Sequence, residues 1–184
     1  AAGWTMKALD IQKAGGLSDI SVAKDLMVSA DLAFSDQGGI KNKQIFDLLK
    51  HVAPFIGSTQ LNSNESSKLF EFATTAGVSP NAKSYQDYFA KIKAGFTSSK
   101  ATNFGSYMEA MQKGGTPYLT EGGSLEEAIS LYSATRSVSP NEALAATLME
   151  QITRVSSGAN AKARGAMEKY YNVSWSDLSM DQRN

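Results

Sequence analysis

Cysteine is absent from the 184 residues, which excludes disulfides, thiolate metal sites and cysteine nucleophiles together. Histidine occurs once, at His51, so neither a His-Glu-x-x-His zinc helix nor a multi-histidine site can be assembled. No EF-hand loop is written into the chain, and neither G-x-G-x-x-G nor a G-x-x-x-x-G-K-[ST] phosphate loop occurs. Net charge is missing too: 18 Lys and Arg balance 18 Asp and Glu, leaving no field to draw in nucleic acid or an anionic membrane. No apolar run approaches the roughly 18 residues of a membrane-spanning helix. Alternating runs rich in Val, Ile and Thr are also lacking, so strands have almost no support. The opening AAGWTMKALD carries neither an initiator Met nor a signal-peptide core, and the expectation is a fragment or processed product of a longer polypeptide.

What the chain does have is helical periodicity. Its 42% hydrophobic and 20% charged residues are ordinary for a globular protein. Ile20, Ala23, Met27, Ala30 and Phe34 recur at three- and four-residue steps, the stripe of an amphipathic helix. Tyr85, Phe89, Ile92 and Phe96 repeat the spacing, as do Leu144, Leu148, Ile152 and Val155. Glycine pairs at 15–16, 38–39, 114–115 and 122–123 fall between the periodic stretches, where helix ends and loops favour them.

The tetrapeptide Val-Ser-Pro-Asn appears twice, at 78–81 and 138–141. Ser suits an N-cap and Pro the first helical position, so each copy reads as a helix start just after another helix has ended. Ser139 with Glu142 completes a capping-box pattern, whereas the first copy has Ala82 in the Glu position. Ser124 with Glu127, and Asn62 with Glu65, give two more such patterns. The flanks correspond as well: KLFEFATTAGVSPN lies over AISLYSATRSVSPN, PFI at 54–56 over PYL at 117–119, and GLSD at 16–19 forms a worn third member. The expected architecture is all-α, a bundle or solenoid-like array of nine helices in three diverged repeats of about 60 residues. The units run over about 1–60, 61–121 and 122–184 within one domain. Helices are predicted over 4–14, 18–35 and 41–53; 64–76, 80–95 and 103–113; 124–136, 139–156 and 160–172.

Chemistry has few places to live. His51, in DLLKHVAPF, reads as a helix-end cation favoured by the helix dipole rather than as a triad base. Glu121, in a Gly-rich loop near Tyr118, is the best candidate for a glycosidase-type acid, but Glu126 and Glu127 suit the first turn of the next helix and supply no second carboxylate. Tyr107, Met108 and Met111 fall at helical steps and read as core. Tyr170, Tyr171 and Trp175 form the densest aromatic cluster: either a cap on the last unit, the reading preferred, or an anchor for a partner. No catalytic, cofactor-binding or metal-binding residue is assigned and no cofactor is expected.

The third unit carries a resemblance. Ser124 to Leu131 has the form S-x-E-E-x-x-x-L; Ser137 to Ser139 make a Ser-Val-Ser break; Asn141 to Arg154 form an Ala-rich stretch ending in a basic residue; and Ala163 to Val173 lead to an Asn-Val turn. Together they resemble the core region of phage tail tape-measure proteins. The long coiled-coil heptads and apolar segments of the full-length family are absent, as expected of a folded fragment. The resemblance implies a structural, non-enzymatic role in a tailed phage or prophage: filling the tail tube during assembly, setting its length, and leaving ahead of the DNA. The implied partners are other tail proteins (tube, tip or baseplate hub, assembly chaperones) and further copies of the chain, with no direct nucleic-acid or membrane binding. The implied location is the tail lumen of the virion, and the host cytoplasm during assembly. Two other readings stand beside it: an α-repeat scaffold for protein partners and, more weakly, a peptidoglycan-cleaving domain of a tail protein.

Overall fold

Seven of the helices start on a side chain that accepts a hydrogen bond from their own first turn. In the computed structural model, which describes residues 2–157, 161–172 and 174–177, these N-caps are Asp19, Asn42, Asn62, Asn81, Asn103, Ser124 and Asn141. Short polar side chains at these positions satisfy donors that no carbonyl in the helix can reach. The helices are α1 (Ala2–Gly15), α2 (Ile20–Ala33), α3 (Lys43–Thr59), α4 (Ser63–Thr75), α5 (Ala82–Ser98), α6 (Phe104–Ala110), α7 (Thr116–Thr120), α8 (Leu125–Val138), α9 (Glu142–Ser156) and α10 (Ala161–Tyr171). A π turn over Met111–Gly115 joins α6 to α7, so 104–120 is one continuous helical run. Among the described residues there is no strand, and the all-α expectation holds. Capping boxes close at Asn62–Glu65 and Ser124–Glu127 as their spacing predicts.

The order of helices recurs. First helices begin at Ala2, Ser63 and Leu125, second helices at Ile20, Ala82 and Glu142, third helices at Lys43, Phe104 and Ala161. The break between first and second helix shows why. After α1, Gly16 takes φ +59 while the Leu17 N–H bonds back to the Gln12 carbonyl. After α4, Gly77 takes φ +71 while the Val78 N–H bonds to the Ala73 carbonyl. Both are Schellman closures, which need a residue tolerant of left-handed backbone.

Here the structure corrects the cap assignment. In both Val-Ser-Pro-Asn copies the N-cap is the Asn, not the Ser: Asn81 accepts from the Ser84 N–H and Asn141 from the Leu144 N–H. The Ser139–Glu142 capping box does not form; the Glu142 carboxylate instead accepts from the Thr102 backbone N–H, 3.0 Å away. Asp19 is the matching cap in the first unit, which places GLSD one residue out of register with its partners. The two copies also differ just ahead of the Ser. Gly77 lets α4 turn off early and tucks Val78 against the core. Ser137 cannot do that as easily, so α8 runs on through Val138, which is left 80% exposed.

The third helix of the middle unit runs further than its expected end at 113. Gly114 and Gly115 are not loop residues; they lie buried in the π turn where other helices press closest. A Cβ on Gly114 would stand 2.9 Å from the Met149 Cβ, and one on Gly115 2.9 Å from the Phe72 ring. Glycine here permits close approach of two helices rather than a turn. Pro54 sits inside α3 and Pro117 at the start of α7, two residues out of register once Lys43 and Phe104 are aligned.

Packing links each unit to the next. In the first unit α1 lies along α3 and touches α2; α2 then lies along α4, opening the second unit. In the second, α4 packs on α6 and the π turn, and α5 lies along α8, opening the third. Residues from all three units build one buried core. A chain of aromatic contacts threads it: Phe34 meets Phe70 and Tyr85; Phe55 stacks on Phe89 with centroids 4.2 Å apart; Phe104, Phe96 and Tyr107 follow; and Tyr107 meets Tyr132 edge-on at 5.5 Å. Edge-to-face pairs of this kind add about 0.5–1.5 kcal/mol each beyond their burial.

Two of the three predicted stripes face this core. Ala23, Met27, Ala30 and Phe34 are buried, as are Tyr85, Phe89 and Ile92. The third is corrected. On α9 the buried face is Ala145, Ala146, Met149, Thr153 and Ser156, while Leu144 is 51% and Val155 36% exposed. The close crossing at Gly114 brings Ala146 and Met149 against it, and Leu144 and Val155 fall on the opposite side of the helix.

Candidate functional site

The residues that sequence reasoning weighed for chemistry are dispersed. His51 is exposed midway along α3, which continues past it through Pro54 to Thr59, so the helix-end reading of His51 is overturned. Its Nδ1 lies 2.9 Å from the Asp47 carbonyl, and the ring lines an open groove of about 530 Å³ with Asn42, Asp47 and Asn81. Glu121 is exposed just past α7, its N–H spent on the Pro117 carbonyl. The acids nearest it in sequence are committed elsewhere. Glu127 accepts from the Ser124 N–H, and Glu126 pairs with Lys91 of α5. That pair, through its hydrogen bond first, lowers the Glu126 carboxyl below its ordinary value and raises the Lys91 ammonium above its own. Among the described residues no group of three or more His, Asp or Glu stands close enough to hold a metal ion.

Tyr107, Met108 and Met111 are fully buried, as their spacing suggests. The C-terminal aromatic cluster is accessible only in part: Tyr170 is 81% exposed, while the side chains of Tyr171 and Trp175 lie outside the described residues.

Two features escaped the sequence reading. The first is a groove that recurs at the break between first and second helix. In the first unit it is about 360 Å³, lined by Gly16, Leu17, Ser18, Ile56 and Leu61. In the second it is about 390 Å³, lined by Gly77, Val78, Ser79, Leu119 and Leu125, with the Lys91–Glu126 pair at its edge. The second feature is a set of buried tyrosine hydroxyls. Tyr88 donates to the Leu69 carbonyl at 3.0 Å, whereas the hydroxyls of Tyr85, Tyr107 and Tyr132 are buried without a hydrogen-bond partner. Burial raises all four, Tyr132 to about 12. No aromatic pattern distinguishes a tyrosine chosen for its ring from one chosen for its hydroxyl.

The most extensive feature is the interface between units. Its first copy joins α2 to α4: Ser29 donates to the Ser63 carbonyl and accepts from Ser67 at 2.8 Å, while Phe34 meets Phe70. Its second joins α5 to α8: Lys91 pairs with Glu126, and Gly95 lies so close to Ile129 that a Cβ would stand 2.6 Å from its Cγ2. Aligned by their helix starts, Ser29 matches Lys91, Ser67 matches Ile129 and Phe70 matches Tyr132. The seam is thus built twice with different chemistry, first by hydroxyls, then by an ion pair and a Gly–Ile contact.

No family model, curated protein or solved structure matches the chain. Among the described residues no helix is long and apolar enough to cross a membrane.

Proposed function

We propose that this chain is a structural interaction protein, a folded segment of a phage or prophage tail tape-measure protein. The observation that carries the reading is the resemblance over Ser124 to Val173. The described residues of this stretch include three helices, α8, α9 and α10, and α8 runs on through Val138 of the motif's first break. A balanced charge and an array whose units meet through apolar, hydroxyl and paired-charge contacts suit packing against protein rather than nucleic acid. The partners in this reading are tail-tube, tail-tip and chaperone proteins, and the location is the tail lumen. The test is the parent gene and the particle. A much longer open reading frame beside a tail-tube gene, with peptides of this segment recovered from purified tails, is the expected result. A parent chain of about 200 residues with no tail genes beside it overturns the reading.

The recurring groove beside Gly16 and Gly77 favours a second reading, an α-repeat scaffold that holds a partner peptide in equivalent grooves. Photocrosslinking from Ser18 and Ser79 to one shared partner would select it. The peptidoglycan-cleaving reading requires a second carboxylate opposite Glu121, and the committed state of Glu126 and Glu127 weakens it. Clearing of a cell-wall suspension that is lost in Glu121→Gln would revive it.

A further inference from the structure

Among the described residues, α1 and α9 carry opposite halves of the internal seam. In α4, the first helix of the middle unit, two faces are buried. Leu69 and Phe72 are buried, Phe72 against Gly115 in the third helix of the same unit, and Ser67 and Phe70 turn towards α2. Alignment at the glycine closures, Gly16 on Gly77, maps Leu69 and Phe72 onto Ala8 and Ile11, and Ser67 and Phe70 onto Met6 and Leu9 of α1. Ala8 and Ile11 are buried against α3. Leu9 is 38% exposed, and Met6, which matches Ser67, is 67% exposed. The face by which a first helix receives the preceding unit is therefore formed on α1, is apolar, and is uncovered.

The other end shows the converse. Alignment at the N-caps, Asn81 on Asn141, maps Ile92 and Gly95 of α5 onto Ile152 and Val155 of α9. In α5 these positions are covered, Gly95 directly by Ile129 of the next unit's first helix. In α9 no further first helix follows among the described residues, and Leu144, Ile152 and Val155 are left exposed or half-exposed.

We infer that the occupant of each open face is a second copy of this chain, added head to tail: α1 of one copy, through Met6 and Leu9, docks on Leu144, Ile152 and Val155 of α9 in the next. The argument is continuity with an interface the molecule already makes twice, at α2–α4 and α5–α8. Because the two halves differ, the contact is heterologous, and it propagates into chains or closes into rings instead of stopping at a symmetric dimer. The inference rests on the repeat geometry and holds whether or not the phage-tail reading does.

The test uses the full chain by sedimentation velocity, with Met6→Arg as a head variant and Val155→Arg as a tail variant. Both substitutions lie on exposed positions, and helical content checks that each variant folds. The unmodified chain is expected to form a concentration-dependent series of species larger than a dimer, up to on the order of 100 μM. Each variant alone weakens association by about tenfold or more. An equal mixture of the two forms a one-to-one dimer, because each variant keeps one intact half. A chain that stays single throughout the concentration range overturns the inference. So does a dimer that survives both variants unchanged, which would mean a symmetric contact through some other surface.

Discussion

Helices α1 and α4 hold the same place in their units, lie against the third helix of the same unit, and end in the same glycine closure, yet they bury different shares of their surface. In α4 the chain places Phe70 and Ser67 where α2 meets them; in α1 the matching Leu9 and Met6 are exposed. The third unit differs in the opposite sense. Tyr132 and Ala128 of α8 are covered, while Leu144 and Val155 of α9 remain open. Burial here is decided by a helix's neighbours as much as by its own residues. Among the described residues the middle unit alone has a neighbour on each side, and the aromatic chain runs through it.

The comparison breaks most completely at high pH. An exposed tyrosine titrates near pH 10, while burial holds the Tyr85, Tyr107 and Tyr132 hydroxyls protonated beyond that, Tyr132 up to about 12. The unfolded chain therefore gives up these protons before the folded chain does. Stability is intact below pH 10 and falls as the pH rises through 10 to 12. Phenolate absorbance from the buried rings should appear together with loss of helical circular dichroism.

Matched truncations separate the units next. Phe70→Ala should cost about 3–5 kcal/mol in urea denaturation, because it empties a site between α2, α4 and α5. Leu9→Ala, at the matching open position, should cost under about 1 kcal/mol. Equal costs would mean that α1 and α4 are not equivalent. A smaller effect comes from adding bulk. Gly95→Val forces a side chain into Ile129 and should cost about 1–3 kcal/mol, while the chain already carries Val155 at the matching position of α9. Val155→Ala should change stability by no more than about 0.5 kcal/mol.

The smallest effects sharpen the two Val-Ser-Pro-Asn breaks. Asn81→Ala and Asn141→Ala should each cost about 1 kcal/mol, since each removes a working N-cap. Gly77→Ala should cost about 1 kcal/mol by opposing a left-handed backbone. Ser137→Ala, inside α8, should change stability by no more than about 0.5 kcal/mol. Thermal melts of the four variants would show the identical tetrapeptides as equal at their last residue and different just before their first.

Much of this was legible in the residues. Three-residue steps, glycine closures and capping patterns are local, and they placed the helices and the order of the units. The same logic put the cap on Ser79 and Ser139 when Asn81 and Asn141 hold it, because both residue types make good caps and only backbone geometry chooses. The stripe on α9 was misassigned for a non-local reason: the close crossing at Gly114 and Gly115 turns Ala145, Ala146 and Met149 inward. The end of the middle third helix was misplaced by the same glycine pair, which periodicity treats as a break and packing uses for contact. The doubled seam was hidden because matching positions differ in chemistry: Ser29 is replaced by Lys91 and Ser67 by Ile129.

Native-state hydrogen exchange tests the central claim most directly, that one seam recurs and the middle unit is held from both sides. Amides of α4, α5 and the buried part of 104–115 should exchange slowest, with α1 and the outer turns of α9 opening more readily by about 1–2 kcal/mol. Uniform protection along the chain, or slowest exchange in α1 or α9, would contradict the account.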